Sequence, residues 1–310
     1  MTTTPPLENT SWLIRHEFLL RRLHSLSGLI PVGAYMVIHL MTNASVLDSP
    51  ATFQQNVYRI HSLGKFLPFV EWGFIFLPLI FHAVFGVVIV RSGMLNYGNY
   101  PTSGNARYTL QRISGMIAFL FIFWHVFHMH GWFHNKFWVE AVAEPLHGAQ
   151  FRPYNAASSL FLAMKSNLVT ALYTIGILAC VFHLANGIWT MGITWGVWVS
   201  PAAQRRANWV CVVFGIGLGI VGLSALGGAK DIELLETALD DEDKMYKAHL
   251  ESGVIQPPKS EDPHKTKRFS LAERAEADKE ANDKSAAESA DTDETATAND
   301  QLTVPTARNP

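Results

Sequence analysis

Four histidines lie in the middle of long apolar runs, where imidazole groups are uncommon. The run FLPLIFHAVFGVVIV at residues 76–90 carries one of them, and three other runs carry one each. An unpaired polar group in hydrocarbon costs several kcal/mol, so each imidazole needs a partner. That partner is either a hydrogen-bonding group on a neighbouring helix or a metal ion. The four residues are His39, His82, His125 and His183.

Long apolar helices must position these histidines. About 20 apolar residues cross the hydrocarbon core of a bilayer, and the sequence has five such runs. Glu71 is the one formally charged residue within them, and it lies near an end. Because backbone groups in lipid must bond internally, the predicted fold is all-α, a polytopic membrane bundle of five transmembrane helices. The predicted spans cover residues 25–45, 67–90, 113–133, 168–192 and 208–229.

The distribution of Lys and Arg predicts the orientation of the bundle. The N-terminal segment, the second-to-third connection and the fourth-to-fifth connection hold eight of these residues, and the opposite loops hold five. By the positive-inside rule the N-terminus is cytoplasmic, and five crossings then place the C-terminal tail outside.

The depths of the histidines sort them into two pairs. His39 and His125 lie about 14 and about 12 residues into outward-running spans, roughly 20 Å from the inner face at the helical rise per residue. His82 and His183 lie about 15 residues into inward-running spans, roughly 22 Å from the outer face. The sequence therefore predicts an outer pair, His39 with His125, and an inner pair, His82 with His183.

Two imidazoles at one depth on facing helices can occupy both axial positions of a haem iron. Neutral imidazole is a good iron ligand, and a porphyrin is an apolar disc that suits a bundle core. The four histidines thus predict two b-type haems, which are not covalently attached because no CxxCH motif is present. Gly86 and Gly187 each follow a histidine by four residues and are expected to leave room for the haem edge.

Two other interpretations use the same residues differently. Any single intramembrane histidine is more often a structural group that bonds a neighbouring helix. Proton relays and transporters also use membrane histidines, but they usually recruit Asp or Glu. Mid-membrane carboxylates are absent from these five runs, which disfavours a transporter.

Weaker candidates lie at the ends of the runs. His24 is placed to bond a haem propionate or a quinone, or is simply an interfacial histidine. A zinc site is one interpretation of the cluster of His128, His130 and His134, and solvated interface residues are the other. Glu71 would carry protons for a quinone or extend its carboxylate to the interface. No residue is predicted to act as a catalytic group on a substrate of its own.

Charge divides the chain into an apolar, mildly basic part and an acidic tail. Residues 228–310 hold 20 of the 26 acidic and 11 of the 24 basic residues, a net charge near −9. Composition of this kind predicts disorder, with a short helix near DIELLETALDDEDKMYKAHLE. The predicted organisation is an N-terminal segment (1–24), a transmembrane domain (25–229) and an acidic, disordered tail (230–310). Cys180 and Cys211 lie in apolar runs and predict no disulfide framework.

Four stretches of the sequence resemble a known family. They are RRLHSLSGLIPVGAYMVIHLMTN, FLPLIFHAVFGVVI, LQRISGMIAFLFIFWHVF and VFHLANGIWTMGITWGVWVSPAAQRR. Together they resemble the single-chain, five-helix, dihaem cytochrome b subunit of succinate:quinone oxidoreductases, over roughly residues 16–227. In that family the matching histidines ligate the distal haem (His39 and His125) and the proximal haem (His82 and His183), in agreement with the pairing by depth.

The resemblance also implies cofactors, partners and a location. It implies a flavoprotein and an iron–sulfur protein that handle succinate or fumarate, and two haems b that pass electrons between them and a quinone, with menaquinone usual for five-helix members. It implies the cytoplasmic (inner) membrane of a bacterium, a place in the tricarboxylic acid cycle, and no nucleic-acid partner. The alternatives are the dihaem cytochrome b subunit of a hydrogenase or formate dehydrogenase, or a non-redox transporter.

Overall fold

The computed structural model describes residues 12–133, 135–255, 266–283 and 286, which form helices joined by turns. Short helical turns flank the main helices at Trp12–Arg15, Ser45–Leu47, Gly64–Phe66, Leu67–Val70, Lys136–Trp138, Glu144–Leu146 and Ile232–Leu234. The main helices are α1 (Glu17–Leu29), α2 (Val32–Ala44), α3 (Pro50–His61), α4 (Leu77–Ser92), α5 (Ser103–His130), α6 (Ala156–Met164), α7 (Asn167–Thr194), α8 (Pro201–Ala229), α9 (Leu235–Glu251) and α10 (271–283).

Five helical segments in the described residues are long and apolar enough to cross a membrane, as predicted. Most of them extend beyond the predicted apolar windows, and several of the added turns carry basic residues, such as Arg21, Lys65 and Arg107. Arg112 shows how such an end is used: its guanidinium donates to the carbonyls of Ile89 (2.6 Å) and Val90 (2.8 Å) in the last turn of α4. The last carbonyls of a helix lack a backbone donor within it, and at Ile89 the Ser92 hydroxyl also donates, at 3.0 Å. The spans are Glu17–Leu47, Gly64–Ser92, Ser103–His130, Asn167–Thr194 and Pro201–Ala229.

Two of the spans are interrupted where proline occurs. The first breaks between α1 and α2 at Ile30–Pro31, since Pro31 has no N–H to continue the ladder of hydrogen bonds. The second contains a wide helical turn at Glu71–Phe76, and Pro78 then lies in the first turn of α4, where its missing N–H is tolerated.

The chain divides into two compact units. The transmembrane unit comprises residues 1–44, 63–127 and 170–226. Within it α1 packs against α4. Its outward-facing side chains are apolar, such as Leu120, Val210 and Ile216, each at least 60% exposed. This inverted surface is what a lipid solvent requires, since aliphatic side chains there need no cover from water.

The extramembrane unit comprises residues 45–62, 128–169 and 227–310, the connections that follow the first and third spans and the tail that follows the fifth. Its helices α3, α6 and α9 pack on one another. Ser49 caps α3 by accepting the Thr52 N–H at 3.1 Å, and Pro50 occupies the first turn. The long third-to-fourth connection thus contains a buried helix, α6. The buried side chains at the centre of this unit include Phe53, Phe161, Met164, Leu235 and Leu239.

The tail begins with ordered structure, which differs from the disorder that its composition predicts for residues 230–310. Helix α9 covers the acidic stretch where a short helix was expected, and it carries one apolar face. Leu235, Leu239 and Tyr246 on that face are at most 7% exposed, at the spacing of a helix that packs on one side. Average composition conceals this periodicity. Residues 256–265, 284–285 and 287–310 of the predicted disordered tail lie outside the described residues.

A buried carboxylate joins α9 to α6. Glu242 is fully buried and accepts the Ser158 N–H at 2.9 Å, the Ser158 hydroxyl at 2.5 Å and the Asn155 amide at 2.9 Å. Asn155 is the N-cap of α6 but its own side chain makes no capping bond, so Glu242 caps that helix from another element. Burial raises the pKa of Glu242 to about 7, although the hydrogen bonds from Ser158 and Asn155 favour the charged form.

Ion pairs hold α10 to the rest of the extramembrane unit. Arg152, 4% exposed, donates to Glu273 at 2.6 Å and to the Ala149 carbonyl at 2.5 Å. Lys165 pairs with Glu280 at 2.6 Å on the same side of α10. The buried Arg152 pair carries more of the stability than the exposed Lys165 pair, since its partners would otherwise be left desolvated.

Candidate functional site

The structure brings the outer pair of histidines together. His39 lies on α2 and His125 on α5, and their ring centroids are 5.8 Å apart with an interplanar angle of 74°. The Nδ1 atom of His125 is 3.0 Å from the hydroxyl oxygen of Tyr173 on α7. Phe121, one turn earlier on α5, stacks on the His125 ring with centroids 5.7 Å apart. Three helices thus hold one imidazole in place.

The inner pair is brought together in the same way. His82 on α4 and His183 on α7 have ring centroids 6.1 Å apart and an interplanar angle of 81°. The Nδ1 atom of His82 is 2.9 Å from the His24 carbonyl oxygen. The Nδ1 atom of His183 is 3.1 Å from the Gln111 carbonyl oxygen. Both inner imidazoles are therefore oriented by main-chain acceptors on a neighbouring helix.

These separations fit axial ligation of one metal ion by each pair. A metal–imidazole bond is about 2 Å long and the ring centroid lies about 1 Å behind the nitrogen, so two axial rings have centroids about 6 Å apart. The measured values of 5.8 and 6.1 Å agree. When the Nδ1–H group of a neutral imidazole donates to an oxygen, Nε2 carries no proton and its lone pair can bind a metal. This is the usual arrangement of ligating histidines.

His39 differs from the other three histidines in its contacts. Its Nε2 lies 3.4 Å from the amide nitrogen of Asn43, at the limit of a hydrogen bond. The same amide donates more closely, at 2.8 Å, to the His39 carbonyl oxygen one turn away. The contact with Asn43 holds Nε2 of His39 only weakly, so this nitrogen is able to bind a metal instead. The two imidazoles of the outer pair therefore also fit a metal.

Two glycines other than Gly86 and Gly187, for which room for a haem edge was predicted, lie directly against the imidazoles of the inner pair. A Cβ atom at Gly28 would lie 2.2 Å from Cε1 of His82, and one at Gly115 would lie 2.7 Å from Cε1 of His183. These glycines are on the facing helices α1 and α5. Gly86 instead lies beside His24, and Gly187 lies beside the Gln111 side chain. Spacing from a histidine along its own helix did not identify the glycine that faces it.

His24 belongs to the inner pair's surroundings. Its ring stacks on that of His82 with centroids 4.1 Å apart and an interplanar angle of 8°. Its Nδ1 is buried and has no hydrogen-bond partner among the described residues. The sequence predicted a role toward a haem propionate or quinone, or an interfacial position. The structure places it against a candidate ligand.

A polar network that the sequence analysis did not identify supports His183. The Gln111 side chain donates to the His183 carbonyl at 3.1 Å and accepts from the Asn186 amide at 2.7 Å. Asn186 in turn accepts from Arg107 at 3.0 Å. The signal was available, since Asn186 follows His183 by three residues and so shares its helix face.

The outer histidine cluster gives a mixed result. His128 is 4% exposed, so the interpretation of a solvated residue is wrong for it. His134 lies outside the described residues, so the predicted cluster is not fully visible. No group of three or more His, Cys, Asp or Glu side chains converges as a metal site in the described part of the chain. Glu71 begins the wide turn of the second span.

The fold and the histidine pairs define the class: a multi-pass helical membrane protein whose bundle holds two pairs of facing imidazoles. No protein-family model matches the chain. It is 35% identical over 210 residues to the succinate dehydrogenase cytochrome b558 subunit of Bacillus subtilis (strain 168), a match that covers 68% of this chain and 96% of that protein. The chain belongs to the family of succinate dehydrogenase cytochrome b subunits, which confirms the resemblance seen in its motifs.

Proposed function

We propose that this chain anchors a succinate dehydrogenase or fumarate reductase to the membrane and carries electrons through two b-type haems. The observation that carries the proposal is the distance within each histidine pair. The ring centroids are 5.8 and 6.1 Å apart, close to the separation of two axial ligands on one iron. The similarity to a cytochrome b558 subunit of succinate dehydrogenase supports it.

The chain's residues have separable roles in this proposal. His39 and His125 hold the outer haem, and His82 and His183 hold the inner one. Haem iron supplies reversible one-electron chemistry when bound. The acceptors on Nδ1 orient the imidazoles, Gly28 and Gly115 let neighbouring helices approach the inner rings, and the apolar spans exclude water from both sites.

Partner subunits complete the proposed enzyme. The sequence has two cysteines, in separate apolar runs, which is too few to bind an iron–sulfur cluster. Oxidation of succinate or reduction of fumarate would therefore occur on a flavoprotein subunit, with an iron–sulfur subunit as the electron donor or acceptor. A quinone in the membrane, menaquinone by the usage of five-helix members, would be the other electron partner.

The same proposal includes an orientation. Eight Lys and Arg residues on the N-terminal side against five opposite place the N-terminus in the cytoplasm of a bacterium. The hydrophilic partner subunits would then dock at the inner end of the bundle, close to His82 and His183. By the same rule, the connections that follow the first and third spans, and the tail, would lie outside the cytoplasm.

Haem quantitation tests the proposal. Purified protein is expected to show sharp visible bands on reduction with dithionite, and pyridine haemochrome analysis is expected to give two haems per chain. In a His82→Ala variant haem per chain should fall by about half, because breaking one axial bond costs most of the affinity of that site. His249→Gln, which removes an imidazole from α9, is the matched control.

Two results would contradict the proposal. A folded wild-type protein without colour would remove the haem assignment altogether. Unchanged haem content in His82→Ala and His183→Ala would show that the inner pair is not the ligand set. Co-purification of the wild-type chain with a flavoprotein that oxidises succinate tests the partner assignment separately.

A further inference from the structure

Tyr173 contacts His125, a candidate ligand of the outer haem, at Nδ1, the ring nitrogen that would not bind the iron. Its hydroxyl oxygen is 3.0 Å from Nδ1 of His125. Its ring meets the His125 ring edge-on, with centroids 5.5 Å apart and an interplanar angle of 80°. A hydrogen bond of this length between side chains on α5 and α7 fixes the direction in which the imidazole points.

Packing determines where the Tyr173 hydroxyl lies. The residue is 7% exposed. Its ring packs edge-on against Phe121 at 5.3 Å and Trp124 at 5.4 Å. Both aromatic residues precede His125 on α5 by one turn or less. Since the ring is held by these contacts, removing the hydroxyl alone should leave the packing of the site unchanged.

The hydrogen bond has an electronic consequence for a metal-bound imidazole. When Nε2 binds iron, Nδ1 keeps its proton, and the Nδ1–H group donates a hydrogen bond to the nearest acceptor, here the Tyr173 oxygen. A better acceptor on Nδ1 makes the ring more electron-rich, which raises its basicity as a ligand and favours the oxidised metal. The acceptor at Nδ1 therefore affects the reduction potential of the haem whose iron is bound at Nε2.

The inner pair provides the contrast. There both Nδ1 atoms contact main-chain carbonyl oxygens, those of His24 and Gln111. A carbonyl belongs to the backbone and is present whatever side chain occupies the position. The Ser114 hydroxyl also lies 3.5 Å from Nδ1 of His183, at the limit of a hydrogen bond. The contact of His125 with Tyr173 is shorter, 3.0 Å, and a side-chain substitution removes it.

We propose that Tyr173 is a positioning residue that lowers the reduction potential of the outer haem by accepting the Nδ1 hydrogen bond of His125. This inference rests on the proposed function, since it requires a haem at the outer pair. It adds a residue that touches neither the iron nor the quinone. It also provides a physical basis for different potentials at two sites that have the same axial ligands.

Redox titration of Tyr173→Phe tests the inference. The two haems of the wild-type protein are titrated by visible absorbance, and the component that disappears in His39→Ala is assigned to the outer site. In Tyr173→Phe the ratio of reduced to oxidised outer haem at a fixed ambient potential should rise about tenfold, an upward shift of about 59 mV for one electron. The inner haem should titrate as before and serves as an internal reference.

Tyr35→Phe is the matched control for loss of a hydroxyl at the outer pair. The Tyr35 ring lies 5.5 Å from that of His39, and no hydrogen bond from its hydroxyl to either imidazole is present in the described residues. Its substitution is expected to leave both potentials unchanged. Should Tyr173→Phe fail to accumulate, 3,5-difluorotyrosine at position 173 weakens the oxygen as an acceptor without changing its shape, and a smaller upward shift is expected.

The outcomes separate this inference from the proposed function. An outer haem with an unaltered potential in Tyr173→Phe overturns the inference and leaves the haem assignment intact. Equal shifts in Tyr173→Phe and Tyr35→Phe also overturn it, since they would reflect polarity rather than the hydrogen bond. A wild-type chain that lacks the outer haem overturns the proposed function and the inference together.

Discussion

The transmembrane and extramembrane units treat buried polar groups in opposite ways. In the transmembrane unit, imidazoles face one another across the bundle, with ring centroids 5.8 and 6.1 Å apart in the two pairs. In the extramembrane unit, the Glu242 carboxylate accepts three hydrogen bonds from partners in the same unit. Polar groups that are complete within the chain serve stability, whereas groups that face each other without a bond between them point to a ligand.

The largest expected effect is at the inner histidine pair. Gly28→Val would place a Cβ atom 2.2 Å from the His82 ring and push that imidazole out of the position in which the proposed function requires it. We expect loss of the inner haem, about half of the haem per chain, with the extramembrane unit unaffected. Pyridine haemochrome analysis measures the loss. Gly217→Val is the control, because a Cβ atom there has no neighbour within 4 Å; equal haem loss in both variants would contradict the assignment.

A change in the extramembrane unit should have the converse result. Glu242→Ala leaves the Ser158 N–H, the Ser158 hydroxyl and the Asn155 amide without their acceptor. Stranding these buried donors is expected to destabilise the unit by about 3 kcal/mol. Hydrogen exchange of α6 and α9 should accelerate while the haem spectrum stays the same. Glu236→Ala, at an exposed position of α9, should change neither measurement; loss of haem in Glu242→Ala would show that the units are not separable.

A smaller effect is expected from the ion pair that holds α10. Arg152→Met removes the bonds to Glu273 and the Ala149 carbonyl, and should destabilise the attachment of α10 by about 2 kcal/mol. Limited proteolysis should then cleave within residues 271–283 sooner. Lys136→Met removes an exposed pair with Glu140 at 3.7 Å and is expected to have little effect. Equal cleavage rates in the two variants would count against a structural role for Arg152.

The smallest expected effect is a pH dependence within the extramembrane unit. Burial raises the pKa of Glu242 to about 7, above its ordinary value of 4.5, so the folded state binds the proton more tightly than the unfolded chain. The stabilisation is complete below about pH 4.5 and is lost as pH rises through about 7. His61, whose pKa is lowered to about 4 by burial and by Lys267, acts in the opposite sense as pH falls below about 6.5.

Glu242→Gln isolates the carboxylate's share of this dependence. Thermal unfolding of the extramembrane unit is compared at about pH 5 and about pH 8, since these values lie on either side of the folded pKa. The wild-type unit should lose more stability at the higher pH than the Gln variant, which stays neutral. Identical pH profiles for the two proteins would show that Glu242 does not titrate in this range.

The motifs of the transmembrane unit allowed prediction because each span carries its own signal. Apolar length predicted the five spans, and depth along the helices paired His39 with His125 and His82 with His183, the same partners that approach each other in the structure. The glycines that matter at the inner pair, Gly28 and Gly115, were not predicted. They lie on the facing helices, and which residue faces another across a bundle depends on helix rotation.

The extramembrane unit was harder to predict because its segments are far apart in the chain. Gln54 bonds the Pro153 carbonyl and the Ala156 N–H, and Glu242 bonds Asn155 and Ser158, across separations of 84 to 102 residues. A short helix was predicted where α9 lies, but the acidic average composition gave no indication that one of its faces is buried. The apolar periodicity of α9 would have predicted a buried face. In the structure this is the face that packs against α3 and α6.

By itself the sequence determined the class of protein, the number of spans and which imidazoles share a depth. These follow from hydrophobic length and helical rise, which are local properties of each segment. Tertiary structure alone decided which group contacts Nδ1 of three of these imidazoles. It is a backbone carbonyl at His82 and His183 and the phenol of Tyr173 at His125. The physical reason is that such contacts depend on the rotation and approach of neighbouring helices, which are set jointly by all the side chains that pack between them.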